Sequence, residues 1–313
     1  MGVFHCPVGS AYYEDEPCID CGLCLVTTEE EVRLASNKVR DYLRSQAGAR
    51  KGPGQKIAVC GKGGTGKSTI VALMASAFLE LGYFVLVIDT DESNAGLHQM
   101  FGFPQQSRPL MALLQRCASG ETKPSVDWFN QSKILLQDIP GEYILGRDNL
   151  RFLTAGKITD PFQGCACSMS DLARDLVRKS VLKEKEVMLI DTEAGVESFG
   201  RGVERGADTV LIAVEPSAES IALAEKISDM AEAIGVNRVR VILNKVPSQK
   251  VEKKIIEEVG KKKIKVIGSI YLDSQISDAS LEGKALPRDS YAQKVIKEVA
   301  NRLLDESPKR LQE

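Results

Sequence analysis

Residues 55–69 combine glycines, lysines and hydroxyl side chains at close, defined spacing. The stretch QKIAVCGKGGTGKST fits the pattern G-x-x-x-x-G-K-[ST], whose defined positions are filled by Gly61, Gly66, Lys67 and Ser68. In such a loop the backbone N–H groups curl around phosphate oxygens, and the N-terminus of the next helix adds positive potential. We therefore expect a bound nucleotide triphosphate, with Lys67 at the β- and γ-phosphates and the Ser68 hydroxyl on Mg²⁺.

The segments on either side of this loop are those that a phosphate-binding loop requires. Ile57 to Cys60 predicts a buried strand, and Thr69 to Leu81 predicts an apolar helix. A chance glycine-rich turn would need neither segment. The predicted nucleotide-binding residues of the loop are Gly61, Lys62, Gly63, Gly64, Thr65, Gly66, Lys67, Ser68 and Thr69.

Acidic residues follow two further predicted strands. Asp89 and Asp91 come after the strand predicted at 83–88, and Asp191 follows the strand predicted at 186–190. Because ligands of parallel α/β sheets bind at the carboxyl ends of the strands, we expect these carboxylates near Mg²⁺ and the γ-phosphate. We assign Asp89 and Asp191 to the Mg²⁺ site together with the hydroxyl of the loop serine. The alternative for Asp89 and Asp91 is a solvated acidic turn.

Four cysteines lie near the N-terminus. Cys18, Cys21 and Cys24 form C-x2-C-x2-C, and Cys6 is followed by Pro7. In bacterial ferredoxins a run with this spacing holds three corners of a cubane, and a Cys-Pro pair supplies a further ligand. The pattern therefore predicts a 4Fe–4S cluster on Cys6, Cys18, Cys21 and Cys24, although the Cys-Pro pair here lies upstream of the run. A four-thiolate zinc site and unliganded thiols remain as alternatives.

A second cysteine motif occurs in the stretch GCACS, where Cys165 and Cys167 are one residue apart. Two thiolates cannot complete a tetrahedral metal site, but two copies across a symmetric dimer supply four. A helix predicted from Met169 to Lys183 would place both cysteines near its N-terminus, which stabilises thiolates. We expect a metal ion that bridges the dimer. The alternative is a pair of inert buried thiols.

The loop also has a lysine, Lys62, directly after its first glycine, and GKGGTGKS resembles the deviant Walker A loop of the dimerising ATPases. These include the cell-division and plasmid-partition ATPases, the nitrogenase iron protein and metal-insertion ATPases. The resemblance implies that Lys62 crosses a dimer interface to the partner's nucleotide and acts in catalysis with Lys67. It implies that Asp91, the second acid of D-x-D, orients or deprotonates the attacking water. It also implies that Asn244, in LNKV, contacts adenine and that Asp273 lies near the nucleotide.

Residues 191–201 indicate which group of these ATPases the sequence resembles most. The stretch DTEAGVESFGR, together with the C-x-C motif upstream, looks like the CooC-type nickel-insertion ATPases of carbon monoxide dehydrogenase and acetyl-CoA synthase maturation. The spaced motifs agree in order over residues 55–300. The resemblance implies a Mg-ATP-dependent homodimer with a metalloenzyme client. The first 50 residues lie outside it.

The predicted fold class is α/β. Strands that alternate with helices indicate a doubly wound, mostly parallel sheet of the P-loop NTPase type. We expect two domains, divided by a Gly/Pro/Lys linker at 47–55. Residues 1–50 would form a small cysteine-rich, ferredoxin-like segment plus a helix over Glu29–Gln46, and residues 55–313 would form the ATPase domain.

Composition argues against several classes of function. The 313-residue chain has a net charge of −2, so extensive nucleic-acid binding is not expected. No apolar run approaches the roughly 20 residues that span a bilayer, and no basic region precedes an apolar stretch at the N-terminus. We expect a cytoplasmic protein without nucleic-acid or membrane partners, in which the cysteines serve metals rather than disulfides.

Together these patterns predict an ATPase of metallocofactor maturation that delivers nickel to a carbon monoxide dehydrogenase-like enzyme. Its expected cofactors are ATP, Mg²⁺, a 4Fe–4S cluster and a nickel or zinc ion at the dimer interface. Two alternatives remain open at this point: an ATP-driven electron-transfer protein of the nitrogenase iron protein kind, and an iron–sulfur scaffold or carrier ATPase. A positioning switch like the partition ATPases would leave the cysteine motifs without a use.

Overall fold

A computed structural model describes residues 28–46, 54–92, 96–114, 127–157, 166–236 and 238–306. Within these ranges, strands and helices alternate along most of the chain. The strands are β1 (Gln55–Gly61), β2 (Phe84–Asp89), β3 (Ile134–Leu135), β4 (Leu145–Arg147), β5 (Leu150–Thr154), β6 (Ser180–Val181), β7 (Glu186–Asp191), β8 (Thr209–Val214), β9 (Arg238–Val246) and β10 (Lys265–Tyr271). The α-helices are α1 (Glu29–Gln46), α2 (Lys67–Glu80), α3 (Leu97–Met100), α4 (Ala166–Lys179), α5 (Glu197–Arg201), α6 (Ala218–Ala233), α7 (Gln249–Lys261), α8 (Ser274–Leu281) and α9 (Tyr291–Asp305).

Eight of these strands form one sheet in the order β10-β9-β8-β1-β7-β2-β5-β4. All pairings within it are parallel except that of β4 with β5, which is antiparallel. β1 lies between β7 and β8, so the strand order changes direction at β1, and open α/β sheets bind ligands at such a point. The predicted mostly parallel α/β sheet is confirmed.

The two faces of the sheet carry separate apolar clusters. On one face Ile57 and Val59 of β1 pack in a cluster with residues of α2 and α9. On the other face Ala58 and Cys60 belong to a cluster with residues of α4, α6 and α7. Because side chains alternate between the faces of a strand, a strand covered on both faces must be apolar throughout. This double coverage explains why β1 reads as a continuous apolar run, and it confirms the doubly wound arrangement.

Two predicted helices differ from the observed elements. The helix expected at Met169–Lys183 starts earlier and ends at Lys179, because Ser180–Val181 pairs as β6 with β3. The Ser180 hydroxyl donates to the Leu176 carbonyl at 2.6 Å, so it engages a carbonyl of the last turn of α4. The sequence of residues 110–117 also predicts a helix, whereas its described part, Leu110–Leu114, is a 3₁₀ turn.

Helix α1 has the predicted bounds, Glu29–Gln46. Ala35 and Val39 are buried, whereas Val32 and Leu34 are exposed. The helix contacts α6 of the ATPase fold. The division of the chain into a 1–50 segment and a 55–313 domain stays a prediction. Among the described helices, none is both long enough and apolar enough to cross a membrane.

A buried carboxyl group lies beneath the first strand of the sheet. Glu204, in a 3₁₀ turn at Val203–Gly206, is fully buried, and its Oε1 accepts a hydrogen bond from Ser198 Oγ. Cys60 Sγ lies 3.9 Å from the same oxygen. Glu204 Oε2 has no hydrogen-bond partner within the described chain. Burial raises the pKa of Glu204 from 4.5 to about 7, and hydrogen bonds to its carboxylate form oppose this only in part.

The raised pKa predicts that nucleotide-free protein loses stability as pH rises. The fold favours protonated Glu204, so this contribution is complete below pH 4.5 and is lost as pH passes through about 7. The free energy of unfolding should fall by about 3 kcal/mol over this window relative to Glu204→Gln. Urea unfolding of both proteins from pH 4.5 to 8.5 measures the difference. Parallel pH profiles for the two proteins would contradict the prediction.

Candidate functional site

The glycine-rich loop joins the end of β1 to the start of α2, as the sequence predicts. Its glycines adopt backbone angles that other residues rarely reach, with φ of 145° at Gly61, 82° at Gly64 and 88° at Gly66. At Gly66 a Cβ atom would lie 2.4 Å from the side-chain nitrogen of Asn244. The loop thus depends on glycine both for its turn and for the close approach of Asn244.

Side chains hold the loop from outside through its carbonyl oxygens. Asn244 Nδ2 donates to the Thr65 carbonyl at 2.7 Å, and Lys245 Nζ donates to the Gly64 carbonyl at 2.6 Å. Within the loop, Thr65 Oγ1 donates to the Lys62 carbonyl at 2.8 Å. Asn244, predicted to contact adenine, therefore also supports the loop. The sequence prediction did not include Lys245, whose only signal was its place beside Asn244 in LNKV.

The predicted Mg²⁺ residues lie together at the carboxyl end of the sheet. Asp89 of β2 and Asp191 of β7 are register partners, and Ser68 Oγ donates to Asp191 Oδ2 at 2.7 Å. Asp191 is fully buried, and its Oδ1 has no hydrogen-bond partner among the described residues. Burial and then the neighbouring Asp89 raise the pKa of Asp191 to about 7. This set of a hydroxyl and a buried carboxylate with an unused oxygen fits a divalent cation.

The D-x-D turn after β2 is tied to both of its neighbouring strands. The Thr90 backbone N–H and hydroxyl donate to the Asp191 carbonyl at 3.0 and 2.8 Å. The Ala155 N–H donates to the Asp89 carbonyl at 2.9 Å. The Asp91 N–H donates to Asp89 Oδ1 at 3.2 Å, and Asp91 is itself buried. The structure thus brings Asp91 close to the two predicted magnesium residues.

A lysine that the sequence prediction missed lies at this turn. Lys157 Nζ is 2.7 Å from Asp89 Oδ2 and also donates to the Asp91 carbonyl oxygen. Burial raises the pKa of Asp89 to about 6, and Lys157 is the main opposing influence. The only sequence signal was a lysine shortly after β5, the strand that pairs with β2.

The two loop lysines have different surroundings. Lys67 is buried, and its Nζ lies 3.5 Å from the Lys62 carbonyl oxygen. Lys62 is partly exposed and forms ion pairs within its own chain, at 2.8 Å to Glu219 and 3.3 Å to Glu215. Hydrogen bonding to Glu219 and then Glu215 raises the pKa of Lys62. The predicted reach of Lys62 into a partner protomer stays a prediction.

A cavity of about 240 Å³ opens beside the loop, next to Gly66, Thr69 and Asn244. Its far wall includes Tyr271 and Asp273. The Asp273 carboxylate accepts hydrogen bonds from the Gln275 and Ala292 N–H groups at 3.1 and 3.0 Å, so it fixes the start of α8. The cavity lies beside Asn244, where the adenine contact is predicted, and Asp273 forms part of its wall.

Residues after β7 connect the loop to helix α4. The Gly195 N–H donates to the Gly61 carbonyl at 3.0 Å. Arg201 pairs with Glu193 at 2.6 Å and lies 3.4 Å from the Ser170 hydroxyl of α4. Burial and then the nearby Glu92 raise the pKa of Glu193 to about 7. The segment 191–201 therefore contacts both the nucleotide loop and α4, the helix that includes Cys167 of the C-x-C motif.

The predicted metal-binding cysteines fall largely outside the described residues. This is true of Cys165 and of the four N-terminal cysteines, which are Cys6, Cys18, Cys21 and Cys24. Cys167 is the second residue of α4, and its side chain is not described. Histidine, cysteine and acidic side chains of the described chain form no group of three or more that could hold a metal ion. Mg²⁺ in ATPase sites needs no such group, because it is held by one or two carboxylates and the substrate phosphates.

Comparison with known proteins agrees with this geometry. Residues 56–286 match the family model described as the CobQ/CobB/MinD/ParA nucleotide binding domain. The chain belongs to this family. It is a P-loop ATPase of the MinD/ParA type, with the loop of 61–68 at its centre.

Relatives in this family include two that align over most of their length. An uncharacterized ATP-binding protein of Methanocaldococcus jannaschii is 40% identical, covering 74% of this chain and 93% of that protein. The carbon monoxide dehydrogenase accessory protein CooC of Rhodospirillum rubrum is 34% identical, covering 73% of this chain and 88% of that protein. The MinC:MinD cell division complex of Aquifex aeolicus matches in fold, with a TM-score of 0.59 at 21% identity over 82% of this chain and 98% of that chain.

The close approach at Gly66 predicts a specific loss of nucleotide binding. Gly66→Ala should raise the Kd for Mg-ATP at least about tenfold, about 1.4 kcal/mol, because the new Cβ would displace Asn244 and strain the loop. Gly82→Ala is the matched control, since Gly82 has a similar φ of 80° but a Cβ there would meet nothing within 4 Å. Calorimetric titration of both variants should separate them. Equal affinities in the two variants would refute the role of the Gly66–Asn244 contact.

Proposed function

We propose that this ATPase acts in metallocofactor maturation and delivers nickel to a carbon monoxide dehydrogenase-like enzyme. The supporting observation is the 34% identity to a carbon monoxide dehydrogenase accessory protein, in a chain whose sequence has the C-x-C pair Cys165 and Cys167. Thiolates suit soft divalent ions such as nickel and zinc. In a homodimer, two copies of the pair would supply four sulfur ligands for the transported metal.

The ATP step uses the residues gathered around the loop. Lys67 would contact the β- and γ-phosphates, while Ser68 and Asp191 would hold Mg²⁺ with Asp89 beside them. Bound Mg²⁺ neutralises charge that develops on the phosphate oxygens. Asp91 orients the attacking water.

Dimer closure would bring a further positive charge, the ammonium group of Lys62, close to each nucleotide. Lys62 leaves Glu215 and Glu219 of its own chain and stabilises the nucleotide of the partner protomer. The ion pairs of Lys62 within one chain would then be exchanged for contacts with phosphate. Hydrolysis therefore depends on assembly of the homodimer.

Metal delivery needs a connection between the nucleotide and the cysteine pair. Arg201 supports such a connection, because it pairs with Glu193 after β7 and lies beside Ser170 of α4. Arg174 of α4 donates in return to the Arg201 carbonyl at 3.0 Å. A change at the γ-phosphate that moves the segment 191–201 would thus shift the helix that begins next to Cys165.

The N-terminal cysteines would add an electron-transfer function. Cys6, Cys18, Cys21 and Cys24 offer four thiolates within one chain, so a 4Fe–4S cluster there would not depend on dimer formation. Such a cluster would keep the client's metal centre reduced while nickel enters. This part of the proposal depends on the spacing of the cysteines alone.

The ATP step predicts different defects for three substitutions. Lys67→Ala should lose nucleotide binding, whereas Asp91→Ala should bind ATP and dimerise but hydrolyse it at least about 100-fold more slowly. Lys62→Ala should bind ATP as a monomer. The control is Lys297→Ala, which removes an exposed ion pair with Glu80 far from the loop. ATPase rates measured against protein concentration test the model, and an undiminished rate in dilute monomer would refute it.

The cysteine pair predicts nickel binding that depends on dimerisation. Anaerobic titration of the full chain should saturate near one nickel ion per dimer, with thiolate-to-metal charge-transfer absorption. A Cys165→Ala, Cys167→Ala double variant should lose this ion and keep Mg-ATP binding. Cys117→Ala, which changes a cysteine outside both motifs, is the control. Unchanged nickel stoichiometry in the double variant would place the metal elsewhere.

The client step is tested with the same preparations. Nickel-loaded wild-type protein with ATP should activate a nickel-free carbon monoxide dehydrogenase, and the double cysteine variant should not. Iron and sulfide analysis of both proteins should give one cluster per chain, since the N-terminal thiolates are unchanged. ATP-dependent electron transfer to the client without any nickel requirement would favour a protein of the nitrogenase iron protein kind instead.

A further inference from the structure

Lys157 is a largely buried cation beside the acidic turn of the ATPase site. It follows β5 by three residues, and its side chain is only 9% exposed. Its Nζ forms an ion pair of 2.7 Å with Asp89 Oδ2 and donates a hydrogen bond to the Asp91 carbonyl oxygen. One ammonium group therefore joins the first acid of D-x-D to the backbone of the second.

These two contacts hold the turn on both sides of the Asp91 side chain, whose orientation matters for the proposed hydrolysis step. The rest of the turn is fixed from β7, where Thr90 binds the Asp191 carbonyl, and by the Asp91 N–H on Asp89 Oδ1. From the side of β5, the Ala155 N–H holds only the start of the turn. Lys157, from beyond the end of β5, reaches the Asp91 carbonyl at the point where the chain leaves the turn.

We propose that Lys157 is a positioning residue for ATP hydrolysis, which holds the D-x-D turn so that the Asp91 carboxylate faces the attacking water. This rests on the proposed role of Asp91. An ammonium group suits the task because it has three donors and a charge, so it satisfies a carboxylate and a carbonyl at once. The charge of Lys157 also offsets the repulsion between Asp89 and its neighbours Asp91 and Asp191. Lys67 acts on Asp191 from the side of the loop.

The proposal predicts a change in turnover with little change in affinity. Lys157 touches neither the loop nor the cavity beside Gly66 in any described contact, so binding of ATP should not need it. A displacement of about 1 Å in a reacting group can lower a rate by about 100-fold. A residue that merely stabilised the fold would instead lower the fraction of active protein without changing the turnover of each bound nucleotide.

The test compares Lys157→Met, Lys157→Arg and the control Lys179→Met in the full-length protein with Mg-ATP. Lys179 is also a buried lysine, but its ammonium group donates to the Phe129 carbonyl, away from the loop. Lys157→Met should lower kcat per bound nucleotide by about 10- to 100-fold, with KM and the Kd for ATP within about threefold of wild type. Lys157→Arg should recover part of kcat because it keeps the charge and donors. Lys179→Met should keep kcat per bound nucleotide.

Two outcomes would overturn the proposal. One is a kcat for Lys157→Met within about threefold of wild type. The other is a further tenfold loss when Lys157→Met is added to Asp91→Asn, since a residue that acts through Asp91 adds nothing once Asp91 is changed. If Lys157→Met does not fold, Lys157→Gln decides, because it removes the charge: a lower kcat at unchanged KM supports positioning, and a wild-type kcat refutes it.

The same measurements separate this proposal from the function proposed above. An inactive Asp91→Asn with a fully active Lys157→Met rejects the role of Lys157 and leaves the ATP step intact. An active Asp91→Asn rejects the role of Asp91 and removes the basis of both. Loss of nickel delivery with normal ATPase kinetics leaves the role of Lys157 unaffected.

Discussion

The mutual repulsion of buried carboxylates is the constraint on which the rest of this site depends. Asp89, Asp91 and Asp191 lie at one edge of the sheet, and burial makes each charge costly. The pKa values of Asp89 and Asp191 are raised accordingly. Cations must offset this cost in the active enzyme, and the fold supplies Lys67 from the loop and Lys157 from beyond β5. The Ser68 hydroxyl and the unused Asp191 Oδ1 beside these acids fit a divalent ion, which would add further positive charge.

The sheet order is what brings these acids together. β7 lies between β1 and β2, so the phosphate-binding loop after β1 lies next to Asp191, and Asp89 lies opposite Asp191 in the pairing of β7 with β2. β5 is the next strand outward, and it delivers Lys157 to the acidic turn. Parallel strands all end at the same edge, so residues separated by more than 100 positions become neighbours. The same order would hold for any member of the family with this topology.

The proposed coupling between nucleotide and metal would pass through one arginine. Arg201 contacts Glu193 after β7 and Ser170 on α4, and its carbonyl receives a hydrogen bond from Arg174. A charged pair in a partly buried place is sensitive to a nearby γ-phosphate, because charge interactions there are less screened than in water. In the proposed mechanism, the segment from β7 to α5 would therefore respond to ATP and act on α4.

The local patterns of the sequence determined the glycine-rich loop, the acids after β2 and β7, the bounds of α1 and the mostly parallel α/β class. Each of these follows from neighbours along the chain: apolar runs predict strands, and a loop of glycines before a lysine predicts a phosphate site. The cysteine motifs are equally local, and their metals remain predictions. The early end of α4 was missed, because β6 forms by pairing with a strand some 46 residues away.

Only the tertiary structure decided which distant side chains complete the site. Lys157 meets Asp89 and Asp91 across 66 residues and more of chain, and Lys245 meets the loop from 181 residues away. Glu204 becomes a carboxyl group of raised pKa only because β1 and its neighbours cover it. The sequence does not show which residues such contacts join, because the order of strands in the sheet brings them together. A lysine is the same letter in the sequence whether it lies on a solvated surface or beside a buried carboxylate, and only packing distinguishes the two places.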